Sequence, residues 1–239
     1  MLFKTLMMSE TKYRFLALFL AFAVSFTFFS CSKDDDDDKQ DSKSLTFEQE
    51  MDEAMRYAKQ YGPVTQALAE EVASRNNGVV TPLNYKTRES ATRKCNTDNC
   101  RPFDLKDLAR TSIVCKKADV DEAVKDLNYT ATERGIFYRY KHQTSDYGYW
   151  GDLTNLKFEK ICTEIQVKSY GMFYASYPES LCRELMGDSV FDAIHTATGL
   201  EPNLSHHYYE ILRADTTSES TKTYYKQLAL EYHQKFDEF

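Results

Sequence analysis

Five consecutive aspartates, Asp34–Asp38, stand almost directly behind a 15-residue apolar run, Phe15–Phe29. The two segments set the beginning of the chain apart from the rest. The aspartates repel one another and cannot be buried, so this stretch reads as a disordered acidic linker. The apolar run is too short for a membrane-spanning helix, which needs about 20 such residues. It suits the apolar centre of a signal peptide, with Lys12 and Arg14 as the positive stretch before it and Ser30 as the small residue before a cut. Folding is therefore confined to the chain beyond the aspartates. The expected division is a signal peptide over 1–30, a linker over 31–45 and a folded domain over 46–239.

Cys31 stands at the junction, directly after Ser30 and before Lys33 and the aspartates. Phe28-Phe29-Ser30-Cys31 resembles a bacterial lipoprotein signal of the relaxed Bacteroidetes type. Ser30 matches the box and Phe28 replaces its usual Leu. Lys33 with Asp34–Asp38 is similar to that group's surface-export tag. The resemblance implies lipidation of Cys31 and a protein held by acyl chains at the outer membrane or cell surface. Each buried methylene contributes about 0.8 kcal/mol, so two or three chains anchor in effect permanently.

The formal net charge is −7, which argues against a nucleic-acid partner, since phosphates demand a basic footprint. The 17 Tyr and 15 Phe are more than a disordered chain carries and suit a packed domain. Beyond Cys31 there are Cys95, Cys100, Cys115, Cys162 and Cys182. In an exported chain Cys95 and Cys100, in the turn-prone stretch T-R-K-C-N-T-D-N-C-R, are the disulfide candidates. The bridge would contribute roughly 2 kcal/mol. A metal knuckle would need two further ligands nearby, and none is in sight.

Phe47, Met51, Met55 and Ala58 recur at helical spacing behind a Thr46/Gln49 capping box. Gly62-Pro63 predicts a break, and Val64, Leu68 and Val72 a second helix ended by Asn76-Asn77-Gly78. Residues 86–101 read as a polar loop. Helices are predicted over 104–116, 119–127, 178–185, 188–198, 205–213 and 218–236, with Gly199 as a C-cap. Residues 136–140 read as a strand. Residues 156–170 fit either a helix, through Phe158, Ile161, Cys162 and Ile165, or a strand, through Ile161, Thr163, Ile165 and Val167. The expected fold class is thus mostly α, a single helical domain with room for one small strand pair.

Near the C-terminus, Tyr208-Tyr209-Glu210-Ile211-Leu212 and Tyr225–His233 resemble the first two helices of a J-domain, the partner module of ATP-driven heat-shock chaperones. Only His233 of the family's His-Pro-Asp triad is matched, by His233-Gln234-Lys235, so the resemblance implies a hairpin without chaperone stimulation. His206 with Glu210 and Asp192 with His195 have metal-ligand spacing, but each pair lacks the third ligand a zinc site needs. Cys182 with His195 is a weak nucleophile–base pair. Neither a metal nor a cofactor is expected. Tyr147, Tyr149 and Trp150, set among Gly148 and Gly151, are the candidate ligand-binding residues, as aromatic rings on a bent loop. The function expected from these features is that of a lipid-anchored surface lipoprotein, a binding protein more than an enzyme, taking a glycan, a peptide or a partner protein. The alternatives are an exported hydrolase or metal-dependent enzyme, and a structural or assembly subunit.

Overall fold

In a computed structural model the chain is described over residues 45–214 and 216–239. Helix α1 (Phe47–Arg75) opens on the predicted capping box: Thr46 Oγ1 accepts from the Gln49 amide at 3.3 Å, and Gln49 Oε1 accepts from the Thr46 amide at 2.9 Å. The predicted break at Gly62-Pro63 does not occur. Pro63 sits inside the helix, where its fixed φ is helical and its missing donor costs the ladder one bond. Gly62 serves packing instead, because a Cβ there would lie 2.6 Å from the Tyr85 hydroxyl. The buried stripe runs unbroken through Met51, Ala54, Ala58, Thr65, Leu68 and Val72.

Strands β1 (Val79–Val80) and β2 (Asn84–Tyr85) come next, then α2 (Arg88–Asp98), capped by Thr87 accepting from the Ser90 amide. After these stand β3 (Ala109–Cys115), α3 (Val120–Glu133), β4 (Phe137–Thr144), β5 (Trp150–Phe158) and β6 (Ile161–Ser169). The strands form one six-stranded sheet in the order β1-β3-β6-β5-β4, with β2 also on β3. β3 and β6 run parallel at its centre and the other pairs are antiparallel. Five helices close the described chain: α4 (Tyr170–Ser176), α5 (Glu179–Met186), α6 (Asp188–Thr198), α7 (Leu204–Arg213) and α8 (Glu219–Gln234).

The fold is therefore α/β, and the expectation of a mostly helical domain is corrected. Two segments carry the difference. Residues 109–115, predicted as helix, form β3, whose Thr111, Ile113 and Val114 are β-branched and buried between neighbours. Residues 156–170 resolve to strand, with Glu159 at φ +41° making the tight turn from β5 to β6.

One face of the sheet packs on α1 and α3. Leu68, Val72, Ile113, Leu127, Leu156, Ile165 and Val167 meet there, all essentially inaccessible to water. Each contributes about 1.5–3 kcal/mol by burial. Thr65 and Thr163 join hydroxyls at 2.7 Å across the same interface. A second cluster of Met51, Ala54, Ala58, Leu105, Leu108 and Ile161 seals the start of α1 against α2 and the approach to β3. The C-terminal pair α7/α8 is an αα-hairpin pinned by Tyr208, Tyr225 and Tyr232 ring contacts.

Candidate active site

Side chains alternate across a strand, so β6 sends Ile161, Thr163, Ile165 and Val167 toward α1 and α3 and Glu164, Gln166 and Lys168 to the opposite face. In the parallel ladder Arg110 of β3 is in register with Glu164, and Ser112 with Gln166. On the other side of β6, Asn155 of β5 is in register with Glu164. A polar row thus crosses the middle of the sheet, on strands whose other face is core.

These groups are fixed. Glu164, only 8% exposed, accepts from Gln166 Nε2 at 2.7 Å and Asn155 Nδ2 at 3.2 Å. Asp107, just ahead of β3 and as deeply buried, binds Lys86 Nζ at 2.9 Å and Lys94 Nζ at 3.1 Å. Burial pushes the Asp107 carboxyl up, but the two ammonium groups outweigh it and hold the group below the usual carboxylate range. Lys86 is seated by its amide, which donates to the Leu108 carbonyl at 2.9 Å, and Lys94 projects from α2.

Lys168 is 4% exposed, with its ammonium 5.3 Å from the centre of the Tyr149 ring and 5.0 Å from that of Tyr177. Burial alone would lower its pKa, and the two tyrosines raise it above the ordinary lysine value. Tyr177, at the end of α4, is pushed up by burial but held below the ordinary phenol value by Lys168, by a hydrogen bond from Ser112 and by Arg110. A buried cation without an anion costs several kcal/mol, and such a cost is tolerated where a ligand offsets it.

Of the residues singled out from sequence, Tyr149 borders this region, while Tyr147 packs on His233 and lines a surface pocket with Tyr209 and Lys226. Their turn is tied by Ser145 to Tyr149 and leans on α8, with Gly148 (φ +86°) 3.1 Å from His233 at its Cβ position. Trp150 is in the core, 8% exposed, under the Lys117 ammonium at 3.4 Å and donating to Asp237 at 3.1 Å. Cys95 and Cys100 are adjacent free thiols at the end of α2. Burial and the Cys100 sulfur push Cys95 up to about 12. Cys31, the acidic run and the whole 1–30 segment lie outside the described residues.

His206 and Glu210 are exposed and 3.9 Å apart, and no cluster of three metal-ligating side chains occurs among the described residues. Cys182 is buried, its thiol pushed up to about 12 by burial, while His195 turns to the Tyr174 hydroxyl at 2.9 Å. His233 is wholly buried, bonded to Ser205 Oγ at 2.6 Å and to the Tyr147 carbonyl at 2.9 Å, and is not offered to any partner. Sequence reasoning missed Lys86, Asp107, Arg110, Glu164, Gln166 and Lys168. The signal was the alternation in T-E-I-Q-V-K-S, where the polar residues share a face only if the segment is a strand.

No family model matches the chain. A curated relative, the (p)ppApp synthetase toxin Tas1 of Pseudomonas aeruginosa (strain UCBPP-PA14), is 31% identical over 170 residues, 66% of this chain. The match spans only 38% of that relative's length. Among solved structures, the complex between the Type VI effector Tas1 and its immunity protein is similar with a TM-score of 0.65 and 26% identity, covering 79% of this chain and 97% of that one. This likeness corrects the lipoprotein and J-domain resemblances, and with them the outer-membrane or cell-surface location and the reading of a lipid-anchored protein that is a binder more than an enzyme. The similar protein is a synthetase and an effector toxin, and the partner in its crystal is an immunity protein, not a membrane, glycan or peptide. The alternative of an exported enzyme stands nearer to these findings. No helix among the described residues is long and apolar enough to cross a membrane.

Proposed function

We propose that this chain is a toxin enzyme of the (p)ppApp synthetase kind, working on the polar face of its sheet. The observation that supports the reading is the shared sheet face of Arg110, Glu164, Gln166 and Lys168, with Glu164 and Lys168 buried, on a fold similar to a synthetase of that name. The product so named is an adenosine carrying phosphates on both its 5′ and its 3′ oxygen. Its synthesis from a nucleoside triphosphate needs the ribose hydroxyl to attack the β-phosphorus. A new P–O bond forms, the bond to the α-phosphate bridge breaks, the hydroxyl loses its proton, and a nucleoside monophosphate leaves.

Such a transfer is mostly positioning and charge stabilisation. Arg110 and Lys168 supply fixed positive charge for the moving diphosphate. Gln166 and Asn155 hold Glu164 in one orientation. Lys86 and Lys94 keep Asp107 ionised. A divalent cation that neutralises phosphate charge would be held by the carboxylates of Asp107 and Glu164. Their hard oxygens fit magnesium, which takes one or two carboxylates and completes its shell with phosphates and water. Tyr147 and Tyr149 are proposed to flank the nucleotide. By the same likeness an immunity protein is the proposed partner.

Incubating the full chain with ATP and AMP, ADP or ATP as acceptor tests this. Anion-exchange chromatography is expected to show AMP release matched by a new, more highly charged adenine nucleotide. Expression in a bacterium is expected to arrest growth, and Glu164→Gln to relieve the arrest. Release of inorganic phosphate alone, with no doubly phosphorylated product, would overturn the reading.

A further inference from the structure

Lys168 is the one feature of this face that packing cannot account for. Its ammonium is buried, and among the described residues no carboxylate comes within ion-pair distance of it, although most of the half-buried cations among those residues have one. Arg110, farther along β3 and in register with Glu164, adds repulsion. Two aromatic rings take the place of a counter-ion, Tyr149 from the turn just ahead of β5 and Tyr177 from the end of α4. The negative face of a phenol ring attracts a cation but does not neutralise it. The arrangement holds the charge in place and leaves it without a counter-ion among the described residues.

The second ring stands at the end of α4, and Ser112 of β3, only 3% exposed and in register with Gln166, lies on the same sheet face as Lys168. Tyr149 is braced from the other side by its contact with the His233 ring, at 5.9 Å and edge-on.

We propose that Tyr149 and Tyr177 clamp the Lys168 ammonium as a built subsite for the diphosphate group of the substrate, with Tyr177 as a positioning residue for that charge. The proposal rests on the synthetase reading for the identity of the substrate, while the subsite itself is a claim about a diphosphate anion. A dehydrated ammonium on the same sheet face as the Arg110 guanidinium suits an extended anion with more than one charge better than a single carboxylate. Binding would supply the missing counter-ion, so affinity and the release of electrostatic strain are the same event.

The experiment uses the full chain and inorganic pyrophosphate, monitored by calorimetric titration and by the shift in melting temperature. Wild type is expected to bind and to melt higher with pyrophosphate present. Lys168→Met is expected to lose at least tenfold in affinity while melting no lower than wild type without ligand, since an unpaired buried charge has been replaced by an apolar chain of similar length. Lys168→Arg is expected to retain most of the binding. Tyr149→Leu and Tyr177→Leu, which remove one ring each, are expected to weaken pyrophosphate severalfold. In synthesis assays both are expected to raise KM for the triphosphate more than they lower kcat. Undiminished pyrophosphate affinity in Lys168→Met, or in both ring variants, overturns the subsite. If wild type makes no (p)ppApp yet binds pyrophosphate through Lys168, the synthetase reading fails and the subsite stands.

Discussion

Along β6 the side chains facing α1 and α3 are Ile161, Thr163, Ile165 and Val167, while those one residue out of phase are Glu164, Gln166 and Lys168. Both sets are largely buried, yet they are buried for different ends. On the first face every group finds a partner inside the protein: apolar neighbours for Ile165 and Val167, the Thr65 hydroxyl for Thr163. On the second face Glu164 is satisfied by amides, but Lys168 and Arg110 have no internal anion among the described residues. The comparison teaches that dryness alone does not mark the core of this molecule. What separates the faces is whether the fold itself satisfies the groups it buries.

Substitutions on the two faces should therefore trade stability against activity in opposite directions. The largest effect is expected from Trp150→Ala on the helix-covered side, a loss of about 3–5 kcal/mol, measured by urea unfolding. A melting curve unchanged by this substitution would mean that the ring is not seated as described. Glu164→Gln, nearly isosteric and on the other face, is expected to lower synthesis by on the order of a hundredfold, about 2.7 kcal/mol of barrier, with urea unfolding changed by less than about 1 kcal/mol. Equal damage to both properties would erase the distinction between the faces.

A smaller effect belongs to His233, which braces the Tyr149 turn from α8. Burial lowers its pKa from the ordinary 6.5, against weaker opposing effects of the Tyr147 and Ala229 carbonyls. The unfolded chain therefore takes up a proton before the folded one does. The stabilisation is complete above about pH 6.5 and is lost as pH falls from there through the folded value. Denaturant midpoints at pH 7.5 and 5 are expected to differ more for wild type than for His233→Gln. The smallest effect is chemical: with Cys95 raised to about 12, iodoacetamide at pH 7 is expected to label Cys100 well before Cys95. Mass mapping reads the order, and neither thiol reacting without reductant would instead establish the bridge.

How much of this was legible depends on periodicity. The Thr46/Gln49 box, the helix over 188–198 and its Gly199 cap were plain, because capping and αL geometry are local. Helix α2 was not, since Ala91 and Cys95 are its only buried residues and the remainder is polar. β3 was missed because D-L-K-D-L-A-R places its leucines at helical spacing, and only the sheet decides against it. For the site, a strand reading of T-E-I-Q-V-K-S lines up Glu164 and Lys168 but leaves them without company. The parallel pairing that brings Arg110 and Ser112 alongside is a tertiary fact, with no signature in either segment.

That pairing also sets when the molecule becomes competent. Arg110 and Glu164 are adjacent across two parallel strands but separated along the chain by α3, β4 and β5, and Tyr177 enters only after β6 is complete. Such a junction closes late, because a long intervening stretch must be ordered before the contact can form. A nascent or proteolytically opened chain thus holds helices, hairpins and every reactive side chain while possessing no active site. On the proposed synthetase reading, activity is an all-or-none property of the finished sheet, and a single cut between β3 and β6 is expected to abolish it without touching a residue of the polar face.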